Sequence, residues 1–397
     1  MPSSGFDAQG SGGAPAGERF PVRLALDAQR CLNARFHGAG CALCAAACPA
    51  EAIELEEGLP AWDEQRCAAC GLCLALCPSE TFVPLSGWSE TAFAQFVADL
   101  DAPACELLCG RGAPVAPTDA QSKLVRAPLC LGAFSPGLWF ALAGLSPITV
   151  DLQNCAACPL ATNEGAISEN IARAGEWLAT TGQGDRLRVR KEGGAASKKA
   201  VPDAYTFGQT LTRRAFLRSL GQAGGALGLG LISDAVGSVL GGAGRPAAKP
   251  APHLPAWRGH LAKAYPAPER QAQPAVWPEL VAGDSCSLCA ACAQYCPAGA
   301  LALDVHADAY ALSFTPGACL DCGICVQACP IAVLALSAAP DSAPFAPRAL
   351  LQGAVSFCPR CGAPTRADGG ELCYWCTQEP SAEELLADAR RMLIGAG

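Results

Sequence analysis

The chain has 397 residues, a formal net charge of −8 and only 16% charged residues; that length suits two to four small domains. About half the residues are hydrophobic, though alanine and glycine dominate, so each core is modest and bound metal is expected to supply much of the folding free energy. No basic stripe is large enough for nucleic acid, and 25 cysteines, an odd number, exclude a simple disulfide scaffold and point to thiols kept reduced in a cytoplasm-like compartment.

Residues 1–21 are rich in Gly, Ser, Ala and Pro and read as a disordered leader with no signal peptide. Residues 22–84 then carry two cysteine runs. The second is regular: Cys67-x2-Cys70-x2-Cys73-x3-Cys77-Pro78. The first keeps Cys41-x2-Cys44-x3-Cys48-Pro49 but has Gly38 where another thiol is expected. The nearest substitute is Cys31, with the loop Leu32 to Gly40 inserted; a glycine-bearing loop returns it to the others at small entropic cost. Cys31 is the favoured ligand, with His37 or a three-iron cluster as the alternatives. Thiolates spaced three apart on a tight loop suit three irons of a cubane, and a fourth followed by proline points away to a neighbouring cluster. Structural zinc takes paired CxxC knuckles instead, and cysteines three apart make poor disulfides. Between the runs, Ala52-Ile53-Glu54-Leu55 alternates like one strand of a short hairpin.

This pattern resembles the bacterial two-cluster ferredoxin, and insertions like that after Cys31 occur in ferredoxin-like subunits of respiratory complexes. The resemblance implies one [4Fe–4S] cluster on Cys31, Cys41, Cys44 and Cys77, and a second on Cys67, Cys70, Cys73 and Cys48.

Residues 88–190 read differently. Helical periodicity runs from Trp88 to Leu100, and Glu106-Leu107-Leu108 is a short apolar run ending at Cys109. Lys123 to Pro128 reads as a strand before Cys130, and Ser135-Pro136 as the cap and first turn of a helix to about Gly144. Ile148 to Leu152 is a third strand, followed by Cys155-x2-Cys158; a helix from Gly165 to Thr180 and a strand from Arg186 to Arg190 complete the alternation. Alternating strands and helices predict a small parallel sheet. Cys109, Cys130, Cys155 and Cys158 follow strand carboxyl ends, which share one edge in such a sheet, where ligands bind. With Cys105 they make five. Cys-x3-Cys, Cys-x-Gly and Cys-x2-Cys together look like the delta subunit of hydrogenases that pair with heterodisulfide reductase. That likeness implies a [2Fe–2S] cluster and an electron relay; zinc or plain buried thiols are the alternatives.

Residues 191–211 form a basic linker. In the segment 212–244, Thr212-Arg213-Arg214-Ala215-Phe216-Leu217-Arg218 resembles the twin-arginine export motif, and Ser219 to Gly244 holds 26 residues with one charge, Asp234. This glycine-rich run is weaker than a membrane span. Three readings stay open: a vestigial signal contacting membrane or partner through 215–244, export of the C-terminal half, or an ordinary glycine-rich helix. The chain is otherwise expected to be cytoplasmic. Residues 245–279 read as a Pro/Ala-rich, semi-rigid linker.

Residues 280–340 repeat the earlier pattern without irregularity: Cys286-x2-Cys289-x2-Cys292-x3-Cys296-Pro297, then Cys319-x2-Cys322-x2-Cys325-x3-Cys329-Pro330. The ferredoxin resemblance, over roughly 55 residues, implies [4Fe–4S] clusters on Cys286, Cys289, Cys292 and Cys329, and on Cys319, Cys322, Cys325 and Cys296. Ala302-Leu303-Asp304-Val305 echoes the earlier hairpin strand, making the units internal repeats. In residues 355–379, Cys358-x2-Cys361 and Cys373-x2-Cys376 stand 11 residues apart, the spacing of a zinc ribbon. The likeness to rubredoxin is fainter, because Thr377 replaces its second glycine. Residues 380–397 predict an amphipathic helix capped at Ser381, with Glu384 three residues on.

The expected fold is α+β and multidomain: two ferredoxin-like units, a small parallel α/β domain and a zinc ribbon. Four [4Fe–4S] clusters, one [2Fe–2S] and one zinc account for every cysteine. No nicotinamide or flavin motif, nucleophile elbow or HExxH is present, and His37, His253, His260 and His306 are scattered, so no catalytic residue is assigned. The first reading is a polyferredoxin-type electron carrier serving a molybdopterin, hydrogenase or heterodisulfide-reductase-like enzyme, partners given by resemblance alone. A redox-sensing adaptor that binds a partner or nucleic acid is the second, and a reductase using the five-cysteine site the third.

Overall fold

The computed structural model describes residues 20, 22–86, 88–111, 117, 119, 121–191, 204–207 and 251–378. The leader apart from Phe20, the twin-arginine-like segment 212–244 and the helix expected over 380–397 lie outside the described residues. No helix among the described residues is long and apolar enough to cross a membrane.

The largest core surrounds a five-stranded, wholly parallel sheet ordered Leu187–Arg190, Ile148–Asp151, Ala104–Leu108, Ser122–Arg126 and Tyr205–Thr206. Cys105 to Leu108 are all buried, so the central strand is covered on both faces, as parallel strands usually are. Glu106 lies among them with no exposed surface. Arg190 Nη2 stands 3.1 Å from its carboxylate and 2.6 Å from that of Asp151, so the charge buried in mid-sheet is paired.

Three helices accompany these strands, and two begin at serine caps. Ser89 Oγ accepts from Ala92 N at the helix Glu90–Asp99, and Ser135 Oγ from Leu138 N at Pro136–Leu145, each at 3.1 Å. Both oxygens of Glu90 accept from Ser135, one from its N–H and one from its hydroxyl, each at 2.8 Å. That clamp ties the first helix to the loop that carries Cys130. Asn163–Ala179 is the third and longest helix.

The two cysteine-run units share one arrangement. In the N-terminal unit Arg23–Leu26 pairs antiparallel with Phe82–Ser86, enclosing the hairpin Ile53–Glu56 and Leu59–Trp62. Glu57 and Gly58, at φ 50° and 82°, make the turn whose twist suits a two-residue hairpin. In the C-terminal unit Ala275–Ala282 pairs with Leu334–Asp341 around the hairpin Leu301–Val305 and Ala309–Phe314. Burial alternates along Ala309–Phe314, inward at Tyr310, Leu312 and Phe314.

The fold departs from the linkers read in the sequence at three places. Tyr205–Thr206, within the expected linker 191–211, adds a strand beside Ser122–Arg126, and Phe207 packs against Trp88, Phe93 and Phe96. The expected linker 245–279 holds the helix Ala256–Ala264 and the start of a strand. Its Pro/Ala composition masks three large aromatics: Trp257 and Trp277 stack on Trp177, at 6.2 and 5.5 Å, and Tyr265 meets the Trp277 edge. Finally, Arg348–Phe357 pairs with both Ala309–Phe314 and Pro364–Arg366, so the last cysteine module continues the hairpin sheet of the unit before it.

Two outcomes test this framework. Arg190→Leu would leave Glu106 and Asp151 uncompensated and is expected to cost about 3–5 kcal/mol, read as a lowered denaturant midpoint; a loss below about 0.5 kcal/mol would contradict the pairing. Burial raises the Glu90 pKa to about 7 despite the two Ser135 donors. The folded form therefore holds the proton more tightly than the unfolded one, and stability falls as pH rises from about 4.5 to 7. Glu90→Gln should flatten that slope, worth at most about 3 kcal/mol, in unfolding curves measured across the same window.

Candidate metal centres

All 25 cysteines are free thiols. In three of the regular runs the middle cysteine is flanked by left-handed residues: Ala69 and Gly71 around Cys70, Leu288 and Ala290 around Cys289, Asp321 and Gly323 around Cys322. Left-handed backbone is uncommon for alanine, leucine or aspartate and costs about 1 kcal/mol each. Such turns aim successive N–H groups at an anion, as around iron–sulfur centres. Ala69 N–H reaches Cys67 Sγ at 3.3 Å, and Asp321 N–H reaches Cys319 Sγ at 3.4 Å.

The fourth cysteine of each run crosses to its partner run. Cys48 stands with Cys67, Cys70 and Cys73, close enough to raise the Cys73 thiol, and Cys77 stands with Cys31, Cys41 and Cys44. In the C-terminal unit Cys329 faces Cys286, Cys289 and Cys292, while Cys296 faces Cys319, Cys322 and Cys325. One cavity is lined by Cys286, Cys289, Cys292 and Cys329 with Leu288 and Leu312. A second is lined by Cys48, Cys67, Cys70 and Cys73, and a third by Cys31, Cys41, Cys44 and Cys77.

Cys31, rather than His37, opens into the third cavity. The inserted loop folds into two short turns, Leu32–Arg35 and His37–Ala39. Asn33 pins it: Nδ2 donates to the carbonyls of Cys41 and Gly58, at 2.8 and 2.6 Å, and Oδ1 accepts from Cys41 N–H at 2.8 Å. Sequence reasoning passed over Asn33 because its three partners are set by tertiary folding.

At the carboxyl edge of the parallel sheet, Cys109, Cys130, Cys155 and Cys158 line a cavity of about 310 Å³ with Arg111, Asp151 and Glu164. Burial, then the neighbouring Cys109 and Cys130, push the Cys155 thiol up to about 12. Cys130 Sγ accepts from Gly132 N–H at 3.4 Å and from the Asn163 amide at 3.5 Å, and Cys158 Sγ from Leu160 N–H at 3.4 Å. Donors aimed at sulfur suit thiolate ligands.

Cys105 does not join this group. It pairs in register with Ile148 at the opposite end of the strand, four residues before Cys109, and four residues of extended chain separate two positions by roughly 13 Å. Its thiol is buried and accepts from Ser146 Oγ at 3.8 Å. Cys-x3-Cys within a strand therefore points its members to opposite sheet edges, and the five-cysteine set of the sequence becomes four.

Cys358, Cys361, Cys373 and Cys376 bring their sulfurs within 4.8 Å of one another. A tetrahedral ion with 2.3 Å bonds to sulfur separates its ligands by about 3.8 Å, and Cys361 and Cys373 stand at 3.5 Å. Backbone N–H groups hold Cys358 down at about 6. Gly362, at φ 74°, closes the first knuckle, and Trp375 Nε1 donates to the Cys289 carbonyl at 3.4 Å, so the module rests on the preceding unit. Among the described residues, no other trio of metal-ligating side chains packs this closely; the remaining cysteine groups are spread more widely than one tetrahedral ion requires.

Residues 285–333 match the family model of the 4Fe-4S dicluster domain, which spans both runs of the C-terminal unit. No curated protein matches the chain.

Removal of Cys105 separates it from its neighbours. Cys105→Ala is expected to leave iron content and visible absorbance at wild-type values, at a packing cost of about 1–2 kcal/mol. Cys130→Ala in anaerobically purified protein should lower both. Equal losses of iron in the two variants would return Cys105 to the set.

Proposed function

We propose that the chain is an electron-transfer protein of the polyferredoxin type, a subunit of an anaerobic redox complex. On this reading Cys31, Cys41, Cys44 and Cys77 hold one [4Fe–4S] cluster and Cys48, Cys67, Cys70 and Cys73 a second. Cys286, Cys289, Cys292 and Cys329 hold a third, and Cys296, Cys319, Cys322 and Cys325 a fourth. Cys109, Cys130, Cys155 and Cys158 hold a [2Fe–2S] cluster, and Cys358, Cys361, Cys373 and Cys376 a structural zinc. The observation that carries this is the crossing of the fourth cysteine between runs in both units, in the unit matched by the dicluster family and in its N-terminal counterpart alike. Such clusters supply reversible one-electron chemistry.

The residues around the cysteines support that role. Left-handed turns direct N–H groups at the sulfurs, which favours the reduced, more negative state. Apolar side chains such as Leu288, Leu303, Leu312 and Leu334 keep water from the Cys286 cavity. The redox partner is read as a molybdopterin, hydrogenase or heterodisulfide-reductase-like enzyme, and substrate turnover belongs to that partner.

Anaerobic metal analysis with electron paramagnetic resonance tests the whole assignment. Roughly eighteen irons and one zinc per chain are expected. About sixteen irons would remove the two-iron centre, about ten would void one of the paired units, and colourless protein holding zinc alone would end the proposal.

A further inference from the structure

Besides the stack of Trp177 on Trp257 and Trp277, which fastens the C-terminal unit to the sheet domain at the end of the helix away from Asn163, three joints bring cysteine groups beside a neighbouring module. The first joins the sheet edge to the N-terminal unit. Asn163, 1% exposed, donates from Nδ2 to Cys130 Sγ at 3.5 Å, and the same side chain stands close enough to Cys70 to lower its thiol. Its Oδ1 is buried without a hydrogen-bond partner, so the amide is oriented by the sulfurs it faces. Alongside, Gly71, at φ 83°, lies so near Ala133 that a Cβ on the glycine would stand 2.6 Å from the alanine's own. Only glycine lets the Cys70 loop approach the Cys130 loop this closely.

The second joint links the two cysteine-run units. Arg35, 8% exposed, donates from Nε to Tyr295 O at 3.0 Å and from Nη2 to Gln294 O at 3.2 Å. Burial lowers its pKa, while Cys296 and Cys322 nearby act to raise it. Phe36 meets the Tyr295 ring edge-on at 5.2 Å. His253 spans the two Cys-Pro turns: Nε2 is 2.7 Å from the Glu80 carboxylate near Pro78, and the backbone N–H of His253 donates to Pro297 O at 2.7 Å. The Cys77 and Cys296 groups therefore face each other across this seam. The third joint sits at the far end, where Trp375 bonds the Cys289 carbonyl and Arg366 donates to the Asp284 carbonyl.

We infer that the cysteine groups stand in single file in an order unlike their order in the sequence. The file begins with Cys109, Cys130, Cys155 and Cys158, passes to the Cys48, Cys67, Cys70 and Cys73 group and then to the Cys31, Cys41, Cys44 and Cys77 group. It continues through Cys296, Cys319, Cys322 and Cys325 to Cys286, Cys289, Cys292 and Cys329, which the Cys358 module covers. The sheet domain, although it lies between the two units in the chain, is a terminus of the path. An electron passing from either end to the other crosses both N-terminal groups, each transfer oxidising one centre and reducing its neighbour with no bond made or broken. Asn163 is a positioning residue shared by the first two centres. This order rests on the cluster reading above.

The test uses the full, iron-loaded chain, reduced anaerobically and followed by electron paramagnetic resonance. The two-iron signal of the sheet-edge centre should relax rapidly because a paramagnetic neighbour lies beside it. In Cys67→Ala/Cys73→Ala that relaxation is expected to slow; in Cys286→Ala/Cys289→Ala it should be unchanged. Equal slowing in both, or slowing only in the second, overturns the order. Iron content separates this from the reading beneath it: each double variant should lose about four irons, and no loss would sink the cluster assignment itself. Because removing ligands can unfold a unit, Asn163→Leu keeps every cysteine. It should lower the midpoint potentials of the sheet-edge centre and of the Cys70 centre together, since a donor to sulfur raises the potential, and leave the others in place. A shift in only one centre, or in neither, overturns the joint.

Discussion

Burial of many thiols at close quarters is the constraint on which this molecule depends. Desolvation, helped by neighbouring cysteines, pushes Cys44 and Cys70 up to about 11, and Cys155, Cys292, Cys319 and Cys325 to about 12. Without metal, burial keeps these raised thiols protonated, and three of the runs hold them on turns in which alanine, leucine and aspartate adopt left-handed backbone. Metal binding displaces those protons and satisfies the inward N–H groups, so binding free energy becomes folding free energy. The hydrophobic content of the two cysteine-run units is small beside that of the sheet domain, and the division of labour follows.

The sheet domain answers a different requirement. Its strands carry a conventional apolar core, with Trp139, Phe134 and Leu107 fully buried, and it can therefore hold a charged group in its middle. The Glu106–Arg190–Asp151 set bridges three strands, and Asp151 also accepts from Gln153 N–H at 2.9 Å at the start of the loop bearing Cys155. Rigid strand ends, a clamped Cys130 loop and a pinned Cys155 loop hold four thiols on one edge. Surface loops alone would not.

Association of the pieces is aromatic and polar rather than broadly apolar. Trp177 takes Trp257 and Trp277 on its faces, fastening the segment before the C-terminal unit to the sheet domain. Arg258, lowered to about 10 by burial, stacks over Trp257 and donates to Gly317 O at 2.9 Å, beside Cys319. A stretch that composition presents as a spacer is thus a bridge between domains, because each large aromatic side chain buries far more area than any one of the small residues around it.

Local chemistry was legible in the residues alone. Spacing of three, closed by Cys-Pro, marked each run; alternation marked the hairpins; Ser135-Pro136 marked a helix start; and the alternating strands foretold a parallel sheet with thiols near its carboxyl edge. These signals are legible because they are short-range: they depend on backbone periods and turn geometry within a few residues. Folding in three dimensions settled everything that depends on register or distance. It sent Cys105 to the wrong end of its strand, brought Cys31 rather than His37 to its cavity through Asn33, paired Glu106 with a strand more than eighty residues away, and set the Cys130 loop against the Cys70 loop of the N-terminal unit. No pattern of spacing encodes such outcomes, because each is fixed by which surfaces of separately formed units bury one another.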